Sequence, residues 1–327
     1  MSFESLIKTV NLSGTCSLSK VEEVVTGLVL AKEDEDDVAV IEKLDELVKL
    51  VVSSSSIIGD DDSFHNLAVD FARNKFEQWA LEVVKKGLDF FPLSTDLLAD
   101  YIRYAIDSND YAGCSEYYDR LLAIPKSQWS WRAFDFSIDY HLFLVKKEQG
   151  KGAGSENIAT IRSLANDFQR YLPHDERGFF AEAVICREFP QSAEKSREEE
   201  LSVLTNALMK VGVAPRCALR CAEIYKEQAK YPEAIQALKR CITDSSAQHF
   251  SLNLGYVYLL LVLCKFSLFL KEKADYDSST IETLVLDMYN DCNIGKVLLT
   301  AEQQYRDKIR ETIRILEIST GIEYSDA

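Results

Sequence analysis

Cys217 and Cys221 stand four residues apart, a spacing that stacks two thiols on one helix face and would supply half of a zinc site. Arg216 and Arg220 share that spacing, and two guanidinium forks one turn apart can hold a carboxylate or a phosphate. Arg170 and His174 share it too, which is the separation a helical ribonuclease would want in its basic pair. The run 150–155, Gly-Lys-Gly-Ala-Gly-Ser, has the glycines of a phosphate loop, and the acidic runs 33–37 and 60–62 have the carboxylates of a calcium loop.

The surroundings of these residues argue against each activity. A zinc site needs more ligands, and no histidine or second cysteine pair lies near Cys217 and Cys221, so both read as core. Pro173 sits between Arg170 and His174 and favours a turn there. Residues 150–155 lack the Lys-Ser/Thr ending of a phosphate cradle and follow a helical pattern instead of a strand. The acidic runs lack alternating oxygen ligands around a central glycine. Four histidines, His65, His141, His174 and His249, belong to no catalytic motif. The expectation is a protein that is not an enzyme and holds no cofactor or metal.

The elements that must position such residues are helices. Only 13 glycines and 6 prolines occur in 327 residues, too few for the turns of an all-β fold, while 47% apolar and 28% charged side chains suit a folded, soluble chain. The formal net charge is −16, and residues 1–62 alone carry 14 acidic against 5 basic groups. That balance repels polyanions, so nucleic acid is not an expected partner and a basic protein is the easier one. Eight cysteines without a Cys-x-x-Cys pair, and no basic-then-apolar leader, read as reduced thiols in the cytoplasm. Residues 252–270, LNLGYVYLLLVLCKFSLFL, approach the length and apolarity of a membrane span, but Lys265 interrupts them; the expectation is a buried helix and no membrane span.

Periodicity fills in the rest. Val21, Val24, Val25 and Leu28 mark one helix and Val38, Ile41, Leu44, Leu47, Val48 and Val51 a second, giving an acidic pair over residues 1–62. Phe64, Leu67, Ala68 and Phe71, a break at Asn74-Lys75, then Ala80, Val84, Gly87 and Leu88 make the next pair. About 34 residues on, the plan recurs with Leu98, Tyr101, Ile102 and Ala105, then Cys114, Tyr118 and Leu121; it recurs again with Ala218, Cys221, Ala222 and Tyr225, then Ala234, Leu238 and Cys241. The stretches between are helical pairs by spacing only, with an enlarged helix carrying Trp129 to Leu144.

A two-helix unit of this length, with small residues where its helices cross and turns such as Asn109-Asp110-Tyr111-Ala112 and Ala229-Lys230-Tyr231-Pro232, resembles the tetratricopeptide repeat. The resemblance is good over about a third of the chain; Tyr101-Ile102 departs from the large-then-small pair the family favours. It implies an all-α, right-handed superhelix (α-solenoid) of about seven antiparallel helix pairs. Residues 63–300 would form the repeats and residues 301–327 a capping helix and tail. It also implies a groove lined by the first helices of the pairs, with His65, Arg103, Arg216, Arg220 and Glu223 as candidate contacts, beside Asp62, Asp96 and Leu219. The Lys/Asn clamp for acidic chaperone tails is not reproduced, since His65 and Val69 occupy those positions. The function expected is a non-catalytic interaction module or scaffold for a protein or peptide partner. The alternative is a structural subunit of an obligate complex, with residues 252–270 and the Trp129/Trp131 cluster as interface.

Overall fold

The computed structural model describes residues 1–31, 38–147, 154–189, 196–248, 253–298 and 303–324; the acidic run 33–37, Gly150, Pro190 and His249 lie outside them. The chain is all-α and divides into two compact units, Met1–Tyr171 and Leu172–Ala327. Unit 1 contains α1 (Phe3–Ser13), β1 (Thr15–Ser17), α2 (Leu18–Leu30), α3 (Val38–Ser53), β2 (Ser56–Ile58), α4 (Asp61–Arg73), α5 (Glu77–Phe90), α6 (Thr95–Asp107), α7 (Tyr111–Leu122), α8 (Trp131–Lys147) and α9 (Gly154–Tyr171). Unit 2 contains α10 (Glu176–Glu188), α11 (Ser196–Lys210), α12 (Pro215–Glu227), α13 (Tyr231–Gln248), α14 (Leu254–Glu272), α15 (Ser278–Leu298) and α16 (Gln303–Thr320). From α2 to α15 these are seven consecutive pairs, with α1 before them and α16 after.

Three of the turns share one stereochemistry. Lys75, Asn109 and Ala229 are the non-glycine residues with positive φ among the described ones, at 66°, 62° and 55°. Each ends the first helix of a pair. The following N–H reaches back to close the helix: Phe76 to Phe71, Asp110 to Ala105 and Lys230 to Tyr225, at 2.8–3.0 Å. This left-handed cap satisfies carbonyls that the helix end would otherwise orphan. The same three pairs carry the sequence resemblance, so their likeness extends from residue type to backbone conformation.

Small residues set how closely the helices cross. A methyl on Gly87 of α5 would lie 2.9 Å from Phe64 Cγ of α4 and 2.9 Å from Leu97 Cδ1 of α6. All three elements therefore meet at one glycine, beneath Phe64, Leu97 and Leu98, which are fully buried. The acidic triplet at the start of α4 is a helix N-terminus. Asp60 accepts the Ser63 N–H at 2.9 Å and Ser63 returns the bond, while Asp61 and Asp62 sit where the helix dipole favours negative charge.

Two features escaped the reading of the sequence. Helix α1 buries Leu6 and Val10 and ends at Gly14 with φ of 69°; Phe3, Leu6, Ile7 and Val10 carry its helical spacing. Strands β1 and β2 pair in parallel, Thr15 with Ser56 and Ser17 with Ile58. Three-residue strands are too short for alternation to be visible.

Helix α14 is the one described helix long and apolar enough to cross a membrane, with a mean hydropathy of 1.8 over its best window. It packs against α13, α15 and α16. Val257, Leu260, Leu261 and Cys264 join the core shared with α12 and α13, while Leu259, Val262 and Phe269 join a second core with α15 and α16. Trp129 is likewise interior, donating its indole N–H to the Ile124 carbonyl at 3.0 Å.

Candidate functional site: the first-helix faces

In unit 1 the first helices of successive pairs, α2, α4, α6 and α8, lie side by side. Their side chains are stitched together. His65 Nδ1 of α4 meets the carboxylate of Asp100 of α6 at 2.5 Å; Asp100 is 2% exposed. Burial pushes the Asp100 carboxyl up, against the pull of His65 and Arg132. Arg132 of α8 pairs with Asp96 of α6 at 3.3 Å. Arg103 of α6 lies over the Phe136 ring of α8, 5.1 Å from its centroid.

Beyond this seam the carboxylates crowd one another. Burial pushes Glu22 of α2 up and Asp70 of α4 adds to it. Burial raises Asp70 as well, with Arg73 opposing. Asp107, at the end of α6, is raised by burial and by Glu77, with Arg103 opposing. Asp139 of α8 is exposed by area, yet burial pushes its carboxyl up to about 6; Asp135 and Asp107 add, while Arg103 and Lys146 oppose. The carboxylates thus fall into two groups: Glu22 and Asp70 with Arg73 between α2 and α4, and Asp107, Asp135 and Asp139 with Arg103 and Lys146 between α6 and α8, where Glu77 of α5 also acts on Asp107.

Unit 2 directs its first-helix side chains at one another. Arg220 of α12 grips Glu200 of α11 with two bonds, Nε at 2.7 Å and a terminal nitrogen at 3.2 Å. Its other terminal nitrogen donates to Glu223 at 2.9 Å. Glu200 is 1% exposed, and Arg187 of α10 approaches it to 3.9 Å. Glu223 also accepts the Tyr256 hydroxyl of α14 at 3.2 Å, and Tyr256 packs 5.5 Å from Tyr305 of α16. The carboxylates that the Arg220 fork meets are thus the chain's own.

A second device fixes α12. Its N-cap, Ala214, has no side chain that can accept a hydrogen bond. Glu176 of α10 takes the Arg216 and Cys217 N–H groups on its two oxygens at 3.1 and 3.0 Å, and Asp244 of α13 takes the Ala214 N–H at 2.9 Å.

His65 and Arg103 thus share a face in unit 1, while Arg216, Arg220 and Glu223 share α12. Asp62 lies in the first turn of α4 and Leu219 packs onto the unit 2 core. Cys217 and Cys221 are fully buried; burial raises both thiols, Cys221 to about 12, so both stay protonated in the core. Arg170 ends α9, over the Tyr171 ring, and His174 is exposed in the turn that follows. Asp100, Glu200 and Glu176 were missed in the sequence. Their signal was a carboxylate on an apolar stripe, as where Glu200 heads Leu204 and Ala207 at helical spacing.

By sequence, no family model matches the chain, and no curated relative matches it. By structure it is similar to a tetratricopeptide-repeat protein of Thermus thermophilus, at 14% identity and a TM-score of 0.45 over 64% of this chain and 99% of that one. It is similar to PilF of Pseudomonas aeruginosa, at 16% and 0.44 over 77% and 97%. It is also similar to a tetratricopeptide-repeat protein of Parabacteroides merdae, at 12% and 0.45 over 88% and 98%. What the chain's own geometry shows is a recurring two-helix unit, whose left-handed caps at Lys75 and Asn109 stand 34 residues apart.

Proposed function

We propose that this protein is a non-catalytic interaction module that binds a protein or peptide partner across the first-helix face of unit 1, and that the partner segment is rich in Lys or Arg. The observation behind this reading is the mutual repulsion of carboxylates between neighbouring first helices, Glu22 with Asp70 across α2 and α4, and Asp107, Asp135 and Asp139 across α6 and α8. Asp107 and Asp139 touch solvent. A bound cationic segment would relieve that repulsion. Arg103, held over Phe136, offsets only part of that repulsion at Asp107 and Asp139. Of the candidate groove residues, His65 and Arg103 then shape this face, while Arg216, Arg220 and Glu223 hold unit 2 together. With Leu254–Glu272 engaged in two cores, a soluble module is favoured over a subunit whose α14 is buried in an obligate complex.

Fluorescence anisotropy with a labelled oligolysine, and a labelled oligoglutamate as control, tests this. The oligolysine should bind in low salt and the oligoglutamate should not. Asp107→Asn with Asp139→Asn should weaken binding by about tenfold, the loss of two partly screened charge contacts. Affinity should rise from pH 5 to pH 7 as Asp139, with its carboxyl near 6, gives up its proton. Equal binding of the two peptides, or no effect of the double substitution, would remove the proposal.

A further inference from the structure

Unit 2 contains a hollow that its own side chains leave unfilled. It has a volume of about 190 Å³ and lies between α13, α14 and α15. Ile235, Leu268, Phe269, Leu284 and Met288 form its walls, and Tyr276, stacked 6.5 Å from Phe269, closes one side. Leu268 and Leu284 are only half-buried, so the hollow opens at the edge of the second core, to which Phe269 and Met288 belong.

Two polar groups interrupt the apolar lining. Lys265 donates to Asp287 at 2.6 Å and to Asp291 at 2.5 Å. An ammonium has three N–H donors, so one remains for an acceptor in the hollow. Asp287 uses Oδ2 for Lys265, and its other oxygen accepts nothing among the described residues. One donor and one acceptor side by side match the carbonyl and N–H of a peptide backbone. Lys239 at the rim has no ion pair among the described residues, but Asp291 lies within its field. The four charges at the mouth therefore cancel, and no net charge selects the ligand.

Size narrows the occupant. Pockets for drug-sized ligands and cofactors run from about 300 to 1,000 Å³, well above this one. An apolar cavity of about 150 Å³ holds a benzene ring. We infer that the α13–α14–α15 hollow is an anchor site for one large apolar side chain, Phe or Leu, of a partner polypeptide, whose backbone amide is read by Lys265 and Asp287. Interfaces concentrate their energy in such filled pockets. This site stands independently of the acidic face in unit 1.

The test uses the full chain and capped amino acids, N-acetyl-X-amides with X as Phe, Leu or Ala, followed through the methyl NMR signals of Ile235, Leu268, Leu284 and Met288. The Phe and Leu compounds should shift those signals saturably, and the Ala compound should not. Leu284→Trp should fill the hollow and abolish the response; Ile235→Phe, on a different helix, does the same if the first variant folds poorly. Asp287→Asn should weaken the capped Phe compound at least fivefold and leave toluene, which has no hydrogen-bonding group, unchanged. Toluene binding as tightly as the capped compound, with no effect of Asp287→Asn, would mean a generic apolar hollow and overturn the inference. Absence of any saturable shift would overturn it too.

Discussion

Replacing Gly87 by Ala sets two known effects against each other. In the interior of α5 an alanine is worth about 0.8–1.0 kcal/mol over glycine through helix propensity. Against this, the new methyl would sit 2.9 Å from Phe64 Cγ and 3.1 Å from Phe64 Cβ, and the root of an aromatic ring cannot swing aside as a methyl tip can. Phe64 is fully buried, with Phe90 and Phe91 rings 6.1 and 6.2 Å away, so the ring has little room to retreat. Overpacking of this kind costs about 1–3 kcal/mol. The net expectation is a loss of about 1 kcal/mol, a fall of about 2–4 °C in the melting temperature of a unit of this size. Thermal denaturation followed by circular dichroism reads this directly. Phe64→Leu is destabilising alone, yet in the Gly87→Ala background it should cost less than in the wild type, because the two positions compete for the same space. A higher melting temperature for Gly87→Ala, or strictly additive effects in the double variant, would refute the claim that this glycine sets the α4–α5–α6 crossing.

Other substitutions probe other features. Ala229→Gly should raise the unfolding free energy by about 0.5 kcal/mol, read as a higher denaturant midpoint, since relief of a left-handed alanine, worth about 1–2 kcal/mol, outweighs glycine's extra freedom when unfolded. Glu200→Gln removes the buried charge that Arg220 grips. Chemical denaturation should show a loss of about 2–3 kcal/mol, less than the ~3–5 of a wholly buried pair because Arg220 keeps Glu223. His141 is buried, with Nδ1 bonded to Asn157 at 2.8 Å and Nε2 to the Tyr118 hydroxyl at 3.0 Å, and burial lowers its proton affinity. Below pH 6.5 the unfolded chain therefore binds a proton that the folded chain refuses, so stability should fall as pH drops from about 7 to 5. His141→Gln should flatten that slope in melts across the same range.

The helix pairs were legible in the sequence because their cores are built at three- and four-residue steps, and because turns such as Asn109-Asp110 carry the residue types a left-handed cap tolerates. The caps at Lys75 and Ala229 carry no such residue, so pattern and break length, not the turn residue, revealed those pairs. The polar site was less legible. Arg220 and Glu223 were visible as a helix face, but Glu200 lies 20 positions away on another helix, and no spacing rule connects them. The same holds for His65 and Asp100, which are 35 positions apart. The acidic character of residues 1–62 was plain from counting. The mutual repulsion of Asp107, Asp135 and Asp139 was not, because it depends on α6 and α8 lying against each other. The strand pair was invisible for lack of length, whereas α1 carries its helical period in Phe3, Leu6, Ile7 and Val10.

The cap of α12 bears on how this chain comes to be folded during its synthesis. The N–H groups that open α12 are closed by Glu176, some 40 residues earlier, and by Asp244, 30 residues later. A nascent chain that has emerged only as far as α12 can satisfy two of those donors, and the third waits for the last turns of α13. The helix is finished by a residue that the ribosome delivers afterwards. Translation pauses between α12 and α13 would therefore hold unit 2 with α12 incompletely closed, and loss of Asp244 would leave the Ala214 N–H open in the finished protein as well.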